Sequence, residues 1–90
     1  MREKDIEDYL VKRVKELKGE IRKLKWIGRK GAPDRVVWIP GWDFLKLAEL
    51  KAPGKKLSSH QTREIERLEK VGFEVWGLWD KSDVDNFLMS

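Results

Sequence analysis

The chain has 90 residues, 40% of them hydrophobic and 40% charged, with a net charge of +4. This describes one small domain over residues 1–90 and leaves no apolar run of about 18 residues to span a bilayer. The absence of cysteine excludes a disulfide framework, a thiolate zinc site and a cysteine nucleophile, and a single histidine excludes a histidine-based metal cage.

MREKDIEDYL, at the N-terminus, is charged throughout and does not resemble a secretion signal, so a cytoplasmic protein is expected. From Glu3 to Lys18, the apolar positions Ile6, Leu10, Val14 and Leu17 form one stripe of an amphipathic helix, which Gly19 is expected to end. Residues 20–27, EIRKLKWI, alternate as a strand with basic side chains mixed in. GRKGAP, residues 28–33, reads as a loop able to approach an anion. Arg35 to Ile39 and Phe44 to Lys51 are the arms of a hairpin turning at Pro40-Gly41. A helix over Ser58 to Lys70, a strand over Glu74 to Trp79 and a short helix begun by Ser82 complete the order α-β-β-β-α-β-α. The fold class is therefore α/β, a mixed β-sheet flanked by helices. A chain this short buries only about 60–65% of its unfolded surface, which makes a homodimer a reasonable extension of the core. Five tryptophans supply apolar area, and Trp26, Trp76 and Trp79 are assigned to the core or to a dimer contact.

Charge is unevenly distributed. Lys18 to Arg35 holds seven bases against Glu20 and Asp34, whereas Glu64 to Ser90 holds seven acids against Arg67, Lys70 and Lys81. The basic half is the one expected to face phosphate.

In the second arm of the hairpin, Glu49 and Lys51 share a face beyond Leu45 and Leu47. An ion pair at a strand end would explain them by itself. Asp34 adds a second carboxylate, because a hairpin centred on Pro40-Gly41-Trp42-Asp43 brings it opposite Glu49. Carboxylate oxygens, a backbone carbonyl and waters suit Mg²⁺ or Mn²⁺, and a nearby lysine can act on an attacking water and offset phosphate charge.

Pro33-Asp34 followed by Glu49-Leu50-Lys51 is similar to the PD-(D/E)XK nuclease signature. More narrowly, GAPDR, ELKAPGKK and Ser58-x-x-Gln61 resemble the VRR-NUC family in its short stand-alone form. The resemblance implies metal-dependent hydrolysis of DNA to a 5′-phosphate and a 3′-hydroxyl. It implies Asp34, Glu49 and the Leu50 carbonyl as ligands of Mg²⁺ or Mn²⁺, Lys51 acting on the water, and Gln61 helping to build the site. Glu7 matches the family's N-terminal acid and would hold a metal through water or bind a second ion. The short form further implies a junction resolvase working as a homodimer on branched DNA, virus-encoded and acting in the host cytoplasm. A less selective endonuclease and a non-catalytic nucleic-acid-binding module are the rivals.

Beside these roles stand plainer ones. Ser58 to Gln61 fits a capping box, so Gln61 has two open assignments, and Glu7 lies among other acids of a solvated helix. Lys25, Arg29, Lys30, Arg35, Lys55 and Lys56 flank the site in sequence and are the expected phosphate contacts, with Arg35 alternatively holding Asp34.

Overall fold

The computed structural model describes residues 1–90 as three helices and four strands, in the order expected from the periodicity. Helix α1 spans Glu3–Glu16 and buries Ile6, Leu10 and Val14 on its inner stripe. Strands β1 (Glu20–Lys23), β2 (Arg35–Trp38) and β3 (Lys46–Leu50) pair antiparallel in succession. Helix α2 (Ser59–Lys70) then crosses to β4 (Val75–Leu78), which lies parallel to β3, and α3 (Lys81–Met89) follows. A parallel neighbour cannot be reached by a tight turn, which is why a helix intervenes only at this step. The result is a four-stranded mixed sheet in the order β1-β2-β3-β4.

Strand alternation assigns the two faces. Val37, Ala48, Leu50 and Leu78 join Ile6, Leu10 and Val14 of α1 and Val84, Phe87 and Leu88 of α3 in one buried cluster. The intervening positions Val36, Leu47 and Glu49 look the other way, toward α2, whose Gln61 reaches Glu49. Lys46 belongs to the α3 side and is buried. Its ammonium donates to the Phe87 carbonyl at 3.1 Å and the Ser90 carbonyl at 2.7 Å, and it sits 4.1 Å from the Trp42 ring centroid. A cation at a helix C-terminus meets unpaired carbonyls and the negative end of the helix dipole, so this lysine fastens α3 to the sheet. Trp42 and Trp76 pack edge-on against Phe87 beside it. No helix is long and apolar enough to cross a membrane.

Three local expectations are corrected. The first strand stops at Lys23, opposite Arg35. After a last bond from the Leu24 N–H to the Asp34 carbonyl at 2.8 Å, the chain leaves the sheet. Helix α3 starts at Lys81 because the Asp80 carboxylate accepts the Asp83 N–H at 2.8 Å; Ser82 lies inside the first turn. Beyond α1 it is Lys18, at φ 61°, that takes the left-handed conformation. Gly19 is required for a different reason: a Cβ there would lie 2.3 Å from the Trp38 carbonyl oxygen.

The two positions should therefore respond with opposite sign. Gly19→Ala is expected to lower stability by about 1–3 kcal/mol through overpacking. Lys18→Gly should raise it by up to about 1 kcal/mol by relieving a left-handed side chain. Urea denaturation midpoints at constant m-value check both.

Candidate active site

Register places the site. Arg35 pairs with Ala48 and Val36 with Leu47, so Asp34, one residue before β2, comes beside Glu49. Lys51 follows β3 directly, on the same side as Glu49, and its backbone N–H donates to the Leu78 carbonyl at 2.9 Å. Asp34, Glu49 and Lys51 thus meet at one end of the sheet, on the side that α2 covers.

Electrostatically the pair is under-compensated. Burial and then the nearby Asp34 charge push Glu49 from its ordinary 4.5 up to about 7, with Lys51 acting in the opposite sense. Burial likewise raises Asp34, while Lys23 opposes the shift. Two half-buried carboxylates held together repel unless a cation or a proton joins them.

Each carboxylate is held by a neutral or cationic brace. Arg35 is only 7% exposed, forms an ion pair with the Asp34 carboxylate at 2.8 Å and pairs through its other terminal nitrogen with Glu7 of α1. That revises the expectation of a phosphate contact: the Arg35 guanidinium is buried between two acids and holds Asp34. Glu7 is likewise engaged by Arg35 instead of facing the carboxylate pair alone. One turn earlier, the Glu3 charge also raises both Asp34 and Glu49. The sequence signal for it was the i, i+4 spacing to Glu7, since a helix that brings one to this end of the sheet brings the other.

Gln61 carries both of its open assignments. Its backbone N–H donates to the Ser58 hydroxyl at 3.1 Å and its side-chain oxygen accepts the Ser58 N–H at 2.9 Å, closing a capping box. The remaining amide group, Nε2, donates to Glu49 Oε2 at 3.2 Å. A cap that immobilises the amide also aims it at the carboxylate.

Two indoles brace the surrounding loops. Trp26 donates to the Pro33 carbonyl at 2.7 Å, directly before Asp34, and Trp79 donates to the Lys55 carbonyl at 2.6 Å, in the turn after Lys51. Gly31, at φ +82°, presses the 28–33 loop onto α2, where a Cβ would lie 2.7 Å from the Gln61 nitrogen. Around this frame Lys25, Lys30, Lys55 and Lys56 are exposed, and Arg29 is exposed but reaches Glu64 at 3.7 Å.

The donor set suits a hard divalent cation. Asp34 Oδ1 pairs with Arg35 and Glu49 Oε2 accepts from Gln61, contacts that use one oxygen of each carboxylate. No third histidine, cysteine or carboxylate gathers closely enough to form a cage of side chains. The remaining ligands for a cation would be a backbone carbonyl and water, an arrangement Mg²⁺ tolerates well because it dehydrates reluctantly.

The model of the VRR-NUC domain matches residues 3–77, which run from the first residue of α1 into β4 and contain Asp34, Glu49, Lys51, Gln61, Arg35 and Glu7. The chain belongs to the VRR-NUC family. A relative named "Putative nuclease p44", from Acyrthosiphon pisum secondary endosymbiont phage 1, is 39% identical over 88 residues, covering 98% of this chain and 92% of its own. A solved structure described as a VRR_NUC domain superposes with a TM-score of 0.82 at 32% identity, over 97% of this chain and 94% of that one. The α/β fold and the strand order are those of that structure, and the chain is a VRR-NUC nuclease domain.

Glu49 gives the metal-free protein a definite pH response. Its folded value of about 7 lies above the ordinary 4.5, so the folded state binds the proton more tightly. The contribution to stability is full below pH 4.5 and is lost as pH rises through about 7. Glu49→Gln should flatten that window and make the metal-free protein more stable than wild type above it. Thermal melts in EDTA, compared between the two proteins across the window, check this.

Proposed function

We propose that this chain is a metal-dependent DNA endonuclease that prefers four-way (Holliday) junctions and acts as a homodimer. The observation that supports the chemistry best is the meeting of Asp34, Glu49 and Lys51 at one end of the sheet, where neither carboxylate is paired with a lysine. Asp34, Glu49 and the Leu50 carbonyl would hold Mg²⁺ or Mn²⁺. Such a cation, when bound, neutralises phosphate charge and eases ionisation of water.

The chain's own groups then have distinct tasks. Lys51 forms no ion pair, so its ammonium is free to donate to the attacking water and to offset charge growing on the phosphoryl oxygens. Water oxygen bonds to phosphorus and the bond to the 3′ oxygen breaks, leaving a 5′-phosphate and a 3′-hydroxyl. Gln61 keeps the Glu49 carboxylate oriented, and Arg35 does the same for Asp34. Glu7, paired with Arg35, keeps the task that the resemblance implies, a water-mediated contact with the cation, and the Glu3 charge one turn earlier adds to the pull on it. Lys25, Lys30, Lys55 and Lys56 line the approach and contact phosphates without reading bases.

Junction preference follows from symmetry. Two copies about a two-fold axis present two sites to two strands of a four-way junction. Ile27, 96% exposed, and Trp38, 45% exposed, flank the edge strand β1 and supply apolar surface for such a contact. The phage origin of the p44 relative supports a virus-encoded protein working in the host cytoplasm.

A labelled four-way junction and linear duplex of the same sequence, incubated with Mg²⁺, Mn²⁺ or EDTA, test the proposal. Paired cuts on the junction are expected with either cation and none with EDTA. Lys51→Ala and Glu49→Gln should each lower the rate by at least about 100-fold, as for loss of one transition-state donor or ligand. Undiminished cutting by Lys51→Ala would remove it from the mechanism, and equal cutting of duplex would leave an unselective endonuclease. Because the cation competes with the Glu49 proton, the apparent Mn²⁺ affinity should rise as pH increases through about 7, measured by titration calorimetry.

A further inference from the structure

A cleft of about 180 Å³ lies between the 28–30 loop and α2, and no hydrophobic residue lines it. Arg29, Lys30, Arg63 and Arg67 surround it with His60, against the single carboxylate of Glu64. Four permanent cations in one concave site repel one another, so the cleft needs an anion more than it needs water.

Glu64 shows that the cluster is built. It stands on the inner face of α2 with Gln61, Ile65 and Leu68, and is only 6% exposed. An apolar side chain at that position would be at least as stable as a buried carboxylate. Instead its Oε1 takes Arg67 at 2.5 Å and Arg29 at 3.7 Å, tying a loop arginine to a helix arginine. Each guanidinium offers five N–H donors, so both keep free donors after that contact. The buried acid therefore anchors the Arg67 fork and draws Arg29 toward it, beside Lys30 and Arg63.

The cleft also shares a wall with the active site. His60 lines it and directly precedes Gln61, which holds Glu49. Gly31 packs on the backbone of both residues, which brings the loop that ends in Asp34 against the same turn of α2.

We propose that this cleft is a second phosphate-binding site, which takes a backbone phosphate of the bound DNA strand next to the one being hydrolysed. The inference rests on the nuclease reading and deepens it, by assigning Arg63 and Arg67 of α2, with Arg29 and Lys30, to hold the strand in register with Lys51. Counting charges along the chain obscures this, because Glu64 opens the acidic half yet turns inward to organise arginines.

The test is binding of a short fluorescein-labelled DNA duplex by the full chain in EDTA, followed by anisotropy across a range of salt concentrations. Each phosphate contact contributes about 0.9 to the slope of log affinity against log salt. Arg63→Gln/Arg67→Gln should lower that slope by about 1 and weaken binding about tenfold at low salt, while Lys12→Gln/Lys15→Gln, the same charge change on exposed α1 positions, should weaken it less than about twofold. Glu64→Gln is the sharpest arm, since it makes the protein more positive yet should bind at least about threefold more weakly. Circular dichroism establishes that each variant is folded, and the arginine pair keeps the test decisive if Glu64→Gln is not. Equal losses in the two double variants, or tighter binding by folded Glu64→Gln, would reduce the cleft to part of a general positive field and overturn the proposal. Mn²⁺-dependent cleavage is scored separately: absence of cutting by wild type removes the nuclease reading and leaves the binding comparison intact.

Discussion

The structure depends on the register between β2 and β3. Pairing of Arg35 with Ala48 sends Ala48 and Leu50 into the cluster under α1 and α3, and the same alternation turns Glu49 and Lys51 toward α2. A slip of one residue would exchange the faces, putting a carboxylate into the apolar core and leucine at the surface. Burial of ordinary aliphatic side chains therefore enforces the placement of Asp34, Glu49 and Lys51. The chain needs no separate device to hold Asp34 beside Glu49, because hydrophobic packing of the hairpin already does so.

What that register creates is locally unfavourable. Burial raises the proton affinity of both carboxylates, the Asp34 charge raises that of Glu49 further, and Glu3 adds to both. The surrounding residues tolerate the strain without removing it. Arg35 contacts Asp34 through one nitrogen and Glu7 through another, and Gln61 approaches Glu49 with a neutral amide. A fully compensated pair would be more stable and would have less to offer a cation. Such local conflicts between stability and chemistry are expected at functional sites.

Helix α2 concentrates several tasks in a few residues. Ser58 and Gln61 close its first turn, and the same glutamine reaches the active site. One turn on, Glu64 joins Arg29 and Arg67. In a small domain, a capped helix end is among the more rigid places from which to aim a side chain, because the cap removes backbone freedom before the side chain makes its contact.

Much of this was legible in the sequence. The order of helices and strands, the meeting of Asp34 with Glu49 and Lys51, and the capping box at Ser58 all rest on period, turn position or spacing within short windows. These are local quantities, and backbone geometry sets them with little reference to the rest of the chain. The burial of Arg35 between Asp34 and Glu7, the reach of Glu3, the inward turn of Glu64 and the indole contacts from Trp26 to Pro33 and Trp79 to Lys55 were not legible. Even Gly19, which reads as a helix stop, is a glycine because the Trp38 carbonyl approaches it. Each depends on how a helix or loop docks, and docking is decided by the shape of the whole core. Short-range spacing alone brings Asp34, Glu49 and Lys51 to one end and one side of the sheet. Which charges hold them there, and which stay exposed, was settled by packing, because an ionic side chain takes its partner by proximity and burial that no linear spacing encodes.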